Sequence, residues 1–281
     1  MKFILERPVK KVPTLRGITV ANLFFEPSTR TLNSFIVAER TLSADTINIS
    51  KSFSSVAKGE TLLDTARNIE AMMVNMVVIR HSVTGAPHYL ARRINSSIIN
   101  AGDGAHEHPT QALLDLLTIR EKFGRIKGLN VSIIGDIIHS RVARSLTLGL
   151  RKMGANVVLC GPPPMLPEWF LQYGVQITHR LPEAIKDSDI IYTLRIQRER
   201  EAESFIPSIR EYRKFYTINF GKLKKYAKEG IIIMHPGPVN RGVELTPDVA
   251  DGPWSLILNQ VTNGIAIRMA ILYLLSGRKE E

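Results

Sequence analysis

Serine, threonine, arginine and threonine follow one another at positions 28–31, just after the apolar run Ala21-Asn22-Leu23-Phe24-Phe25 and the pair Glu26-Pro27. A helix-like pattern then continues through Thr41. A strand that turns into a helix at this point leaves the first helical N–H groups without intrahelical partners and aims the positive end of the helix dipole at the turn. Such a junction binds anions. The hydroxyls of Ser28, Thr29 and Thr31 and the forked guanidinium of Arg30 suit the oxygens of a phosphate or carboxylate. An ordinary capped helix with Arg30 in solvent would use the same residues, and the segment alone leaves both readings open.

Polar and cationic groups recur just past the ends of other apolar runs, where ligands bind in open α/β sheets. Ser54 to Thr61 is a loop carrying Lys58 beside a glycine. Arg80-His81 closes a strand-like run, and Asn100 to Gly104 leads into His106 to Gln111. Asp136 to Arg141, Arg195 to Arg200 and His235-Pro236-Gly237-Pro238 follow in the second half. Taken singly, each has a plainer role. Arg80, Arg141 and Arg195 could form structural ion pairs, and Ser54 and Lys58 could belong to a solvated loop. Gln111 could be a helix-surface amide and His108 a capping or core histidine. The sequence offers no persuasive metal cluster, no activated Ser or Cys nucleophile and no obvious carboxylate pair, so no metal or other cofactor is implied.

These groups need strands that end where they stand. Apolar runs rich in β-branched residues alternate with helical patterns over most of the chain, which signals α/β architecture with parallel sheets. The first set of strands lies near Thr19 to Phe25, Thr46 to Ser50, Asn75 to Arg80 and Ser97 to Ala101, with helices at Thr29 to Thr41, Thr61 to Met73 and Pro87 to Asn95. The second set lies near Asn130 to Gly135, Asn156 to Cys160, Val175 to Thr178, Ile190 to Thr193, Phe215 to Thr217 and Ile231 to Met234. A helix from Pro109 to Phe123, opening on a proline suited to a first turn, joins the sets. The strand-turn-helix at Val131 to Met153 has only Gly135 where a dinucleotide binder would want a glycine triplet, so that reading is weak. The helix from Thr262 to Ser276 is apolar on most faces and reads as buried.

The predicted fold class is therefore α/β, with two domains, each a mainly parallel sheet flanked by helices. They are joined by a linking helix, and a C-terminal helix returns to the first domain. Residues 1–123 and 124–261 form the two domains, with 262–281 packing back on the first.

Composition agrees with a globular chain. At 281 residues and 44% hydrophobic it can bury a sizeable core. No apolar run approaches the ~18 residues of a membrane span, and the start lacks a signal-peptide body. The single cysteine, Cys160, excludes a disulfide framework and suits a reducing cytoplasm. A formal charge of +11 invites a nucleic-acid reading. The charge is not gathered into a basic tail, however, and several arginines sit at strand ends, which favours small anionic substrates over nucleic acid.

In their order along the chain, Phe24 to Thr31, Ser54 to Thr61, His108 to Gln111, Asp136 to Arg141, Arg195 to Arg200 and His235 to Glu244 resemble the aspartate and ornithine carbamoyltransferase family, and within it the aspartate-specific catalytic chains. Ornithine-specific relatives typically carry Cys-Leu-Pro where this chain has Pro236-Gly237-Pro238. The likeness runs from about Pro8 to the last helix. Two departures stand out. Leu32 occupies a position where many relatives have a second arginine, and the family usually has another helix before the segment that begins at Met1, so the chain reads as short at its N-terminus.

The resemblance implies a ligand for each domain and a role for each motif residue. The first domain would bind carbamoyl phosphate and the second L-aspartate. Ser28, Thr29, Arg30, Thr31 and Arg80 would hold the phosphate, with Ser54 and Lys58 supplied by a neighbouring subunit of a homotrimer whose active sites are shared. Lys58 would also serve aspartate. His108, with Thr31 and Arg80, would hydrogen-bond the carbamoyl oxygen. Gln111 and the carbonyls of Gly237 and Pro238 would take the carbamoyl NH2, with Gly237, as a residue before proline, expected in extended backbone. Arg141, Arg195 and Gln197 would bind the aspartate carboxylates, and Glu26 would orient Arg141 and Arg200 on domain closure. The product would be N-carbamoyl-L-aspartate, in pyrimidine synthesis in the cytoplasm. Ornithine or another amine as acceptor, and a non-catalytic scaffold, are the alternatives; association with a regulatory chain or dihydroorotase is left open.

Overall fold

The computed structural model describes residues 1–50, 59–196 and 208–277. The chain forms two compact units, Met1–Thr110 with Thr262–Glu281, and Gln111–Val261.

The first unit is built on four parallel strands, β1 (Thr19–Phe24), β2 (Asp45–Ser50), β3 (Met76–His81) and β4 (Ser97–Asp103), in the order β2-β1-β3-β4. Helices Thr29–Thr41, Leu62–Ala71 and Ala86–Ala91 make the crossovers. Strand periodicity divides β1 between two cores. Val20 and Phe24 pack with Phe35, Ala38 and Leu42 of the first helix, while Ala21, Leu23 and the following Phe25 pack with Ala66, Ile69 and Leu90 on the other side. The helix Ile257–Leu275 contributes Met269 and Leu272 to the first of these cores. By length and composition it is the one described helix that could cross a membrane. Yet it carries Arg268, only 3% exposed, with the guanidinium 5.1 Å from the centre of the Phe35 ring.

The second unit has five parallel strands, β5 (Asn130–Ile134), β6 (Asn156–Cys160), β7 (Gln176–Thr178), β8 (Ile190–Thr193) and β9 (Ile232–Met234), in the order β7-β6-β5-β8-β9. Val131, Ile133, Val157 and Leu159 join one core with Leu146 and Leu150 of helix Arg141–Lys152. Ile134, Cys160, Ile191 and Ile233 join the other.

Three expectations change. The segment Phe215 to Thr217 is not a strand, because Phe215 and Tyr216 complete the helix Ile209–Tyr216. Ser208 caps that helix by accepting from the Glu211 N–H at 3.1 Å, and Tyr212 and Tyr216, one turn apart, bury their rings together at 5.4 Å. The Ser-x-x-Glu spacing of a capping box thus outweighs the β-propensity of three residues. The last helix begins earlier than expected, at Ile257. It is also less enclosed than its all-round apolar character suggested, since Val261 is 51% and Leu274 76% exposed.

One polar group lies within the first core. Glu39, fully buried, accepts from Asn22 Nδ2 at 3.1 Å and from Thr46 Oγ1 at 2.8 Å, tying helix Thr29–Thr41 to β1 and β2. Burial dominates these bonds and pushes its carboxyl up to about 7. Below pH ~4.5 the group is neutral folded and unfolded; between ~4.5 and ~7 only the unfolded chain ionises, so stability falls as pH rises, by at most ~3 kcal/mol in total. Glu39→Gln should flatten this part of a urea-midpoint profile and leave the variant the more stable protein at pH 8. A wild-type profile that does not decline across that window would refute this account of Glu39.

Candidate active site

Each sheet has one place where consecutive crossovers depart in opposite directions, between β1 and β3 in the first unit and between β5 and β8 in the second. A crevice opens there beyond the carboxyl ends of the strands. Of the polar segments singled out in the sequence, Glu26 to Thr31 and Arg80-His81 stand at the first place, and Asp136 to Arg141 and Arg195 at the second.

In the first unit β1 ends at Phe24 and the helix begins at Thr29, with Ser28 as its N-cap. The Ser28 side chain makes no capping bond to that helix, and Leu32 N–H is the donor to the Ser28 carbonyl, at 3.0 Å. The amides of Thr29, Arg30 and Thr31 therefore precede the intrahelical ladder. Thr29 and Arg30 are exposed and Thr31 is buried. Arg80 lies opposite Phe24 in the β1–β3 pairing. Its Nη1 donates to the Ala101 carbonyl at 3.2 Å and its Nε stands 3.6 Å from Glu26 Oε2, so the strand-end arginine is fixed between β4 and the β1 turn. Cations and helix amides thus meet at one edge of the sheet.

His108, 5% exposed, follows a loop organised by a residue the sequence did not single out. Asp103 is fully buried and accepts from Gly85 N–H at 2.7 Å, Asn100 Nδ2 at 3.1 Å and Glu107 N–H at 3.1 Å, with His106 Nδ1 at 3.1 Å. Burial alone would raise its carboxyl, but the bonds from Gly85, Asn100 and His106 more than offset it and hold it below the usual range. Gly104 turns the loop at φ 48°, and a Cβ there would lie 2.5 Å from Thr84 Oγ1.

In the second unit Ser140 caps the helix Arg141–Lys152 by accepting from Ala143 N–H at 3.1 Å. Arg141, its first residue, is 4% exposed. The preceding Asp136 accepts from the His139 amide at 3.2 Å and pairs with His139 Nδ1 at 2.9 Å; burial raises its carboxyl. Arg195 stands just past β8. Its neighbour Ile196 donates its N–H to Glu244 Oε1 at 2.8 Å, and Glu244 also accepts from the amide and side chain of Asn240, both at 2.8 Å. Glu244 is fully buried, and burial raises its carboxyl too. After β9, His235 Nδ1 accepts the Gly237 N–H at 2.7 Å. Gly237 has φ 63° and a cis bond to Pro238, so its backbone is not in the extended conformation expected from the proline next to it. Gln111 is buried and bonded to Asp115, which excludes the helix-surface reading.

Ser54, Lys58, Gln197 and Arg200 lie outside the described residues. Asp103, Asp115, Glu244 and Gln260 could not be picked out from the sequence. An acid within a few residues of each predicted ligand was visible, but whether it was solvated or enclosed was not.

A family model for the aspartate/ornithine carbamoyltransferase carbamoyl-P binding domain matches residues 1–121, and one for the Asp/Orn binding domain matches residues 127–275. The chain belongs to the aspartate/ornithine carbamoyltransferase family. Within that family it is 60% identical over 271 residues to the aspartate carbamoyltransferase catalytic subunit of Syntrophus aciditrophicus, covering 96% of this chain and 88% of the relative. Among solved carbamoyltransferases, aspartate transcarbamoylase from Trypanosoma cruzi in complex with N-(phosphonacetyl)-L-aspartic acid superposes with a TM-score of 0.85 at 35% identity, covering 94% of this chain and 85% of that one. Ornithine carbamoyltransferase from Pyrococcus furiosus gives 0.84 at 33%, over 98% and 89%. The backbone therefore does not separate the two acceptors, whereas the relative at 60% identity carries the aspartate name.

Glu244→Ala would leave the Ile196 and Asn240 amides without their buried acceptor. Urea unfolding should report a loss of ~2–4 kcal/mol, and a loss under ~1 kcal/mol would mean that this clamp does not hold the Arg195 segment.

Proposed function

We propose that the protein transfers the carbamoyl group of carbamoyl phosphate to the α-amine of L-aspartate, giving N-carbamoyl-L-aspartate and phosphate. The observation that carries the choice of acceptor is the charge of the second half-site. Arg141 and Arg195 stand past β5 and β8, while the acids beside them are enclosed: Asp136 is engaged with His139, and Glu244 with backbone amides and Asn240. A dicarboxylate finds cations there. The side-chain ammonium of ornithine would need an available carboxylate, and the described residues present none at these strand ends.

In this reading the first unit is the carbamoyl-phosphate domain and the second the aspartate domain. Ser28, Thr29, Arg30, Thr31 and Arg80 hold the phosphate, and Thr31, Arg80 and His108 the carbamoyl oxygen. Gln111 and the carbonyls of Gly237 and Pro238 receive the carbamoyl NH2, and Arg141, Arg195 and Gln197 the aspartate carboxylates. The α-amine attacks the carbamoyl carbon, negative charge gathers on the carbonyl oxygen, and the C–O bond to phosphate breaks. The departing phosphate takes the amine proton. Bringing two bound reactants into attack geometry contributes ~7–11 kcal/mol and one well-aimed oxyanion donor ~3–4 kcal/mol, against ~3–5 kcal/mol for a general base. Positioning and electrostatics can therefore carry the reaction. Because the phosphate ligands belong to the first unit and the aspartate ligands to the second, transfer would require closure, in which Glu26 would engage Arg141 and Arg200.

We further propose a cytoplasmic homotrimer in which Ser54 and Lys58 complete a neighbour's site, acting in pyrimidine synthesis. The reducing environment suits Cys160, a buried free thiol.

Purified protein should form N-carbamoyl-L-aspartate from carbamoyl phosphate and aspartate, and far less product from ornithine; the reverse preference would overturn the acceptor assignment. His108→Ala should lower turnover ~10²–10³-fold while changing phosphate binding much less, and equal losses in both would remove His108 from the oxyanion role. Mixed trimers of inactive Lys58→Ala and Arg30→Ala subunits should regain part of the activity, because some interfaces recover a complete site. No recovery after verified subunit exchange would rule out shared sites.

A further inference from the structure

The two ends of a glutamine amide match in size but not in hydrogen bonding, since one only donates and the other only accepts. Gln111 Nε2 donates to Asp115 Oδ1 at 3.1 Å, one helical turn further along. Asp115 is fully buried and takes two more donors: Gln260 Nε2 at 2.7 Å on the same oxygen, and the Tyr192 hydroxyl at 2.8 Å on Oδ2. Gln260 extends the chain, because its Oε1 accepts the His235 N–H at 3.1 Å while His235 Nδ1 accepts the Gly237 N–H at 2.7 Å. One buried carboxylate thus links the three elements that carry Gln111, Gln260 and the 235–238 loop.

The polarity of this network has a definite direction. Asp115 Oδ1 accepts from both glutamine Nε2 groups, so both glutamines turn their NH2 groups toward Asp115 and their oxygens away from it. For Gln260 that oxygen meets His235. For Gln111 it leaves an acceptor not engaged by Asp115, and in the carbamoyl-transfer reading the loop anchored through His235 supplies the carbonyls of Gly237 and Pro238 as further acceptors. A pocket walled by acceptors and held by a buried carboxyl group favours an NH2 group over a methyl of nearly the same size, because the methyl would leave those acceptors without donors.

We propose that Asp115 is a positioning residue that sets specificity for the carbamoyl group: by fixing the Gln111 amide and, through Gln260, the 235–238 loop, it makes the site select NH2 over CH3 on the acyl carbon. The inference rests on the carbamoyl-transfer reading above. Tyr192 adds rigidity, as it is fully buried and its hydroxyl, held neutral by burial and by the adjacent carboxylate, can only strengthen the acceptor role of Asp115.

Acetyl phosphate separates this role from a structural one. It keeps the phosphate and the carbonyl of carbamoyl phosphate and replaces NH2 by CH3. Affinities for carbamoyl phosphate, acetyl phosphate and inorganic phosphate would be measured by calorimetry on the full-length wild type, Asp115→Asn and Gln260→Met. The wild type should prefer carbamoyl over acetyl phosphate by at least about tenfold. Asp115→Asn, the same shape with one acceptor turned donor, lets the Gln111 amide reverse. It should narrow that ratio at least about fivefold through weaker carbamoyl phosphate binding, with inorganic phosphate changed less than about twofold. Gln260→Met, which releases only the loop, should give a smaller narrowing and decides the question if Asp115→Asn fails to fold. Equal weakening of all three ligands, an unchanged ratio in the folded variants, or a wild type without the preference would overturn the proposal. A wild type that binds no carbamoyl phosphate would instead remove the transfer reading on which it stands.

Discussion

Parallel strand pairing sets the terms for everything else in this molecule. Strands that run the same way must be joined by crossovers, and the segments that follow them all emerge at one edge of the sheet. Both sheets are wholly parallel, so the turn after β1, the end of β3 and the loop after β4 share one edge, and the segments after β5, β8 and β9 share another. Reversed crossover direction at β1/β3 and at β5/β8 then opens the space in which those segments face a ligand. Arginines and helix amides brought together in this way repel one another unless an anion is present. Dianionic substrates satisfy that demand.

Enclosed carboxylates do the complementary work. Asp103 gathers the loop before His108, Asp115 gathers Gln111 and Gln260, and Glu244 gathers Ile196 and Asn240. Each accepts several N–H groups at once, and a buried acid that does so holds backbone more rigidly than any single neutral bond. These acids thus serve to fix local geometry. Glu39 shows the cost of burial most plainly: two side-chain donors do not compensate it, and the carboxyl that joins helix to sheet is pushed up to about 7.

Much of this was legible in the chain. The junction at Phe24 to Thr31 could be read as a strand entering a helix, because apolar alternation stops at Glu26-Pro27 and the 3.6-residue period begins at once. The helix Pro109–Phe123 was placed to the residue by its opening proline. The segment Phe215 to Thr217 was misread because three residues of high β-propensity outvoted a capping box seven residues earlier. The bend at Gly237 escaped for a similar reason, since the local rule for a residue before proline assumes no constraint from elsewhere, whereas His235 holds the Gly237 amide.

The sequence by itself determined which chemistry was available: anion-gripping arginines and hydroxyls at strand ends are properties of residue type and spacing, and the ordered set of motifs adds the resemblance to carbamoyltransferases that implies carbamoyl phosphate and aspartate as the anions. Only the tertiary structure decided which buried amides and carboxylates are joined to one another. Asp115, Gln260 and His235 are separated by 145 and 25 positions along the chain yet are joined by consecutive hydrogen bonds. The direction of a hydrogen bond depends on the partner at its far end, and folding supplies that partner from a distant part of the chain.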